Sequence, residues 1–254
     1  SLAKQGATLL LHGRNVEKGK ALVAELERTT GNNHVRYYNA DLSSLAQVRK
    51  LAAEIKQYEP RLNVLVNNAG IGPREPGSPR ELSTDGYEKF FAVNYLAGYL
   101  LTHELLPLLR QSTPARIVNV ASIGQQPLDF SDVMLTHDYD DSRAYRQSKL
   151  AQILFTFDLA ETLKGSGITV NCLHPATLMN TNMVKDSRYF KGALTTVEEG
   201  AAAVERLIVA PELAAVTGQY FDGVKPAQPN AQALDAEARW KLRELSEHLV
   251  LAGK

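Results

Sequence analysis

Apolar residues in this chain fall into two kinds of run that alternate along its length. Short, nearly unbroken apolar runs lie at residues 7–12, 34–38, 62–66, 116–120, 168–173 and 218–221. Continuous rather than alternating apolar character marks strands covered on both faces. Between them lie longer stretches with apolar residues every three or four positions, the period of a helix with one inward face. The first begins at Asn15, a capping residue type, and runs to about Arg28 with Val16, Leu22, Val23 and Leu26 predicted inward. A second starts at Ser43 or Ser44 and continues through Leu45, Val48, Leu51, Ala52 and Ile55. Further helices are predicted at residues 87–110, 143–164 and 197–209, with an amphipathic helix closing the chain. Residues 1–6 read as the tail of a helix ending on Gly6.

Strands separated by helices require right-handed crossovers, so the pattern predicts an α/β fold built on a doubly wound parallel sheet. No low-complexity linker or repeat interrupts it, and residues 1–254 are read as a single domain. In such sheets ligands bind beyond the carboxyl ends of the strands. Most polar candidates fall there; Asn94, Tyr145 and Lys149 lie on helices.

Composition narrows the function classes. The formal net charge is zero and there is no basic run, which argues against nucleic acid as a partner. One cysteine, Cys172, excludes an intrachain disulfide and suits a reducing, cytoplasmic setting. No apolar run reaches membrane-spanning length, and no stretch reads as a signal peptide. Cys172 and His174 are too few for a metal site, so no metal is expected.

The most informative chemistry is Tyr145 four residues before Lys149. Helical spacing stacks both on one face. An ammonium beside a phenol favours the phenolate and would lower its pKa, letting it exchange a proton with a carbonyl oxygen. With ten tyrosines present, one Tyr-x-x-x-Lys arises by chance about as often as not, and an exposed helix pair explains it equally well. Ser122 after its strand reads equally as a turn cap. Asn67-Asn68-Ala69-Gly70 after a buried strand lets backbone approach a ligand closely, or is an ordinary turn.

Taken in order, the pieces His12-Gly13-Arg14-Asn15, Asp41-Leu42, Asn67-Asn68-Ala69-Gly70, Phe91-Ala92-Val93-Asn94, residues 117–122, Ala144-Tyr145, Ser148-Lys149-Leu150-Ala151 and His174-Pro175 resemble the short-chain dehydrogenase/reductase family, most of all its retinol-dehydrogenase-like branch. The resemblance covers essentially the whole chain and implies a Rossmann-like sheet and an NAD(P)-dependent oxidoreductase interconverting a carbonyl and an alcohol. It implies Tyr145 as general acid or base, Lys149 as its helper and a ribose ligand, Ser122 as donor to the substrate oxygen, and Asn94 as holder of a relay water. Asp41, Leu42, Asn68, Ala69, Gly70 and Pro175 match cofactor-contacting positions, although Asp41 also suits a helix N-cap. Thr181 lies one residue past the usual nicotinamide-contacting Thr, and Asn180 fills that slot; either serves. Arg14, where an acid would bind a ribose 2′-OH, favours NADP over NAD. Segment 125–141 resembles an insert of that branch.

The resemblance also carries expectations beyond the site. The family's first strand and Gly-rich phosphate loop have no match in residues 1–254, so an N-terminally truncated chain that binds NADP poorly is expected, with the strands near Ala7 and Leu62 left with unpaired edges. The helices starting near Tyr87 and Arg143 correspond to the family's homodimer face. Leu178, Met179, Met183, Val184, Tyr189, Phe190 and Leu194 give the segment after His174 an apolar character suited to a lipophilic small-molecule substrate. Two rival readings are a non-catalytic nucleotide-responsive scaffold and a light-driven pyrrole reductase, the latter disfavoured by the single cysteine.

Overall fold

A computed structural model describes residues 1–189 and 192–252; Phe190 lies outside the described residues. The alternation predicted from the apolar runs is the alternation observed. The elements are β1 (Leu9–Gly13), α1 (Val16–Thr30), β2 (Val35–Asn39), α2 (Leu45–Tyr58), β3 (Val64–Asn67), α3 (Ala97–Gln111), β4 (Ala115–Val120), α4 (Asp141–Thr162), β5 (Ile168–His174), α5 (Asn182–Lys185), α6 (Val197–Val209), β6 (Tyr220–Asp222), β7 (Lys225–Ala227) and α7 (Ala236–Ala252). Side-chain caps set the helix starts. Asn15 accepts the Lys18 N–H, Ser44 rather than Ser43 accepts that of Gln47, and Asp140 accepts that of Arg143. Asp140 therefore starts α4 two residues earlier than predicted. Gly6 takes a left-handed conformation (φ 78°) that closes the short 3₁₀ turn Leu2–Gln5.

β3, β4, β5 and β6 are parallel neighbours in that order, and β7 adds an antiparallel edge. β7 has no counterpart in the predicted elements, because Lys225-Pro226-Ala227 carries no apolar run and exists by pairing with β6. β1 and β2 pair in parallel as a separate two-stranded sheet. β1 and β3 do not hydrogen-bond to each other, and both line a cavity of about 960 Å³. This agrees with the expectation of unpaired edges at these two strands.

α1 departs from the prediction. Val16 and Leu22, predicted inward, are 40% and 43% exposed, and Gly19 is the buried residue of the helix. α1 has only a two-stranded sheet to cover, and every residue of β1 stays partly exposed. Gly19 packs flat on the Tyr37 ring, where a Cβ would fall 2.3 Å from ring carbons.

The five-stranded sheet is covered on both faces. Ile117, Val170 and Cys172 meet α2, α3 and α4, while Val118, Val120, Leu173 and Phe221 meet Leu207 of α6. Leu150, Ile153 and Leu154 of α4 are fully buried. Each such side chain contributes about 1.5–3 kcal/mol, which fixes α4 rigidly against the sheet. The predicted helix 87–110 starts at Lys89 and passes through a π-helical turn, Phe91–Leu96, that runs into α3. The buried Glu88 carboxylate accepts the Phe90 and Phe91 N–H groups at its start. Among the described residues no helix is long and apolar enough to cross a membrane, and no cluster of three His, Cys, Asp or Glu side chains could hold a metal.

Candidate active site

Four segments converge beyond the carboxyl ends of β3 and β4. Ser122 lies two residues past β4, and its Oγ accepts the Gly124 N–H at 3.0 Å. Tyr145, on the second turn of α4, lies beside Ser122: a Cβ on Gly124 would fall 3.5 Å from Ser122 Oγ and 3.7 Å from Tyr145 Cε1. Its ring stands edge-on to Phe90, centroids 6.4 Å apart. Lys149, one turn further on, is buried, and its Nζ donates to Val120 O and Gln152 Oε1, both at 3.0 Å. Two of the three ammonium protons are thus engaged, leaving one for a ligand.

The electrostatics differ from the expectation at Tyr145. Burial pushes its phenol pKa up, and the Ser122 hydroxyl draws it only partly back. The Lys149 ammonium sits 5.9 Å from the ring centroid, engaged with Val120 and Gln152 rather than with the phenol oxygen. It does not lower the phenol in this arrangement. Burial, without a compensating carboxylate, brings Lys149 itself down to about 8.

Asn94 sits in the π-helical turn, a distortion often found at functional sites. Its Oδ1 accepts the Ile71 N–H at 2.8 Å, and its Nδ2 donates to Ile71 O at 3.1 Å and Ser148 Oγ at 2.9 Å. Both amide protons are therefore used in tying the loop after β3 to α4. Gly70 runs between the two groups: a Cβ there would lie 3.1 Å from Asn94 Oδ1 and 3.5 Å from Lys149 Nζ. This absence of a side chain is what lets β3's exit pass so close to the ammonium.

The structure therefore brings Gly70, Asn94, Ser122, Tyr145 and Lys149 together. Asn68, Ala69 and Leu42 line the 960 Å³ cavity beside them. Arg14 is exposed just past β1 and shares a second cavity, of about 390 Å³, with Gly70. Asp41 accepts the Ser43 N–H in a local turn, while Ser44 is the residue that caps α2. Burial works to raise the Asp41 carboxyl, but the Ser43 hydrogen bonds and the Arg14 and Lys89 charges hold it below its ordinary range. Pro175 is buried after β5, and Thr181 opens α5 without a side-chain capping bond. Among the described residues neither hydrogen-bonds to the Tyr145 cluster.

Sequence reasoning missed the polar ladder beneath the site. Asn67 Nδ2 donates to Thr102 Oγ1 and Asn119 Oδ1, and Asn119 Nδ2 donates to Thr156 Oγ1. These bonds tie β3, α3, β4 and α4 together where the buried runs carry asparagines. Buried polar side chains need such partners, so an asparagine inside an otherwise apolar strand was the available signal.

Residues 1–191 match the family model described as short chain dehydrogenase. Human retinol dehydrogenase 13 is 38% identical over 98% of this chain and 78% of its own length. Human retinol dehydrogenase 11 is 35% identical over 96% of this chain and 78% of its own length. Among solved structures, an uncharacterized protein from Mycobacterium paratuberculosis matches with a TM-score of 0.74 at 29% identity, covering 98% of this chain and 86% of that one. A Pseudomonas aeruginosa RhlG/NADP active-site complex matches with a TM-score of 0.64 at 27% identity, covering 87% and 86%.

Proposed function

Since the chain belongs to the short-chain dehydrogenase family, as an NAD(P)-dependent oxidoreductase of alcohols and carbonyls related to retinol dehydrogenases, we propose that Tyr145 transfers the proton in an NADP(H)-preferring interconversion of a lipophilic carbonyl and its alcohol. The observation that carries this reading is that Ser122 Oγ and the Tyr145 ring meet at Gly124, where a Cβ would lie 3.5 Å and 3.7 Å from them, with the buried Lys149 ammonium one turn away. Two hydroxyls converging on one point bind the oxygen of a carbonyl that gains negative charge during reduction.

The residues present fit the nicotinamide-ribose half of a dinucleotide. Gly70 brings the loop after β3 close to Lys149, and the third Lys149 proton suits a ribose hydroxyl. When bound, that group supplies or receives the hydride at the carbonyl carbon. Ser122 donates a hydrogen bond to the substrate oxygen and orients it. Tyr145 gives its proton to that oxygen in reduction and takes it back in oxidation. Asn94 keeps β3's exit in register with α4, so that Gly70 and Lys149 keep their spacing. Thr181, or its neighbour Asn180, contacts the nicotinamide amide.

Arg14 supports NADP over NAD, because an exposed guanidinium beside the second cavity pairs with a 2′-phosphate. Met183 and Val184 support an apolar substrate, as does the likeness to retinol dehydrogenases. The test is NADPH and NADH consumption by the full-length protein with a panel of apolar and polar aldehydes, retinal among them. Apolar aldehydes should be reduced, with NADPH preferred. Arg14→Glu should lower kcat/KM for NADPH by about tenfold or more, one phosphate-guanidinium contact, and leave NADH within about threefold. No turnover on any carbonyl would reject the enzymatic reading; an unchanged NADPH/NADH ratio in the variant would reject the assignment of Arg14.

A further inference from the structure

The segment after β5 is held down on the start of the catalytic helix. Asp141, the first residue of α4, is buried and lies one turn before Tyr145 and two before Lys149. Its Oδ2 accepts the backbone N–H of Arg74 at 3.0 Å, and its Oδ1 accepts the Tyr189 hydroxyl. Alongside, the Arg188 N–H donates to Arg74 O at 2.6 Å, and the Arg188 guanidinium pairs with Glu75 at 2.7 Å. Met183 lies directly on Gly72, where a Cβ would fall 2.4 Å from Met183 Cγ. Residues 181–189 thus form a strap closed onto the loop after β3.

A cavity of about 390 Å³ lies where strap and loop meet, walled by Gly70, Ile71, Phe90 and Met183 and by charged side chains, Arg14 and Asp141 among them. Ile71 and Phe90 of its wall pack with Tyr145 in one apolar cluster, and Tyr145 itself does not line the cavity. Capping of α4 is done by Asp140, which accepts the Arg143 N–H. The Asp141 carboxylate is therefore directed to partners outside its own helix. Hydrogen bonds to a carboxylate are the strong ones, and a buried one is costly to break. The Arg188–Glu75 pair is exposed and contributes little by comparison.

We propose that Asp141 is a positioning residue: by clasping Tyr189 and the Arg74 backbone at once, it fixes the strap over this cavity and so sets the affinity for the substrate. This rests on the oxidoreductase reading above for its kinetic consequence, but not for its structural one. Tyr189→Phe and Asp141→Asn in the full-length protein test it. The first keeps the aromatic ring in place and removes only the hydroxyl donor.

Trypsin should cut after Lys185 and Arg188 about fivefold faster in both variants, the size of one net hydrogen bond, with cleavage elsewhere unchanged. KM for an apolar aldehyde should rise about fivefold with kcat within about twofold. The double variant should be no worse than the worse single one, because both changes break the same clasp. Unchanged strap cleavage and KM would overturn the proposal. So would a fall in kcat at constant KM, or an effect of Asp141→Asn with Tyr189→Phe silent, which would make Asp141 merely a helix residue. If the unaltered protein reduces no carbonyl, the activity reading fails separately and strap cleavage alone decides the clasp.

Discussion

Tyr145→Phe should lower kcat for carbonyl reduction by about 10²–10⁴-fold, the range of general acid–base catalysis, without unfolding the protein. Only the phenol oxygen is removed. The ring keeps its edge-on contact with Phe90 and its place beside Ile71 and Ala144. Ser122 keeps the Gly124 N–H as a partner, so its hydroxyl stays in position. The stability change is then at most that of one hydrogen bond, about 1 kcal/mol, against roughly 3–5 kcal/mol lost from transition-state stabilisation. The pH profile adds a second reading. Burial raises the phenol pKa, so the protonated form needed for reduction persists across neutral pH. Reduction should stay flat there and fall on the alkaline side, while alcohol oxidation should climb in that direction. Thermal unfolding with kcat measured in both directions checks this. A Phe variant retaining more than about a tenth of kcat would remove Tyr145 from proton transfer.

What the sequence disclosed about this site depended on how local the information was. Tyr145 and Lys149 share a helix face, and helical spacing alone puts them together. The strands were visible because buried parallel strands must be apolar, and the caps at Asn15 and Ser44 because a helix start needs a side-chain acceptor. The π-helical turn was not visible, since one turn of i→i+5 bonding leaves no distinct apolar period. The Asp141–Tyr189 clasp joins residues 48 apart, and no spacing rule encodes that contact. Helical proximity brings the Tyr145 and Lys149 side chains near each other without fixing where the ammonium points. It says nothing of Val120 O and Gln152 Oε1, which take up the ammonium instead of the phenol. The inward face of α1 differs from the prediction because Gly19 lies against the Tyr37 ring, a contact between residues 18 apart that the helical period does not specify, while Val16 and Leu22 stay exposed.

Lys149→Met should abolish most turnover while leaving stability near neutral pH little changed, and the pH dependence of that comparison is the sharper result. Burial brings the folded-state pKa of Lys149 to about 8, against about 10.4 for the unfolded chain. Below pH 8 the ammonium is charged in both states, and the fold carries the full penalty of burying it, on the order of 3 kcal/mol. Between pH 8 and about 10.4 the unfolded chain binds more protons at this site than the folded one, so wild-type stability gains from this group as pH rises. Methionine has nearly the same length and no such penalty, but it strands Val120 O and Gln152 Oε1 without their donor, at about 1–3 kcal/mol each. At pH 7 these effects are of similar size and opposite sign, so the two proteins should unfold within about 2 kcal/mol of each other. Towards pH 10 the wild type should pull ahead. Turnover should meanwhile fall by about a hundredfold or more, because the cation next to the phenol and to Gly70 is gone. Denaturant titrations of both proteins from pH 7 to 10 decide the matter: stability differences that stay constant across that range would mean that the ammonium is not held in a desolvating site, and that the pocket beside Tyr145 is wetter than its packing implies.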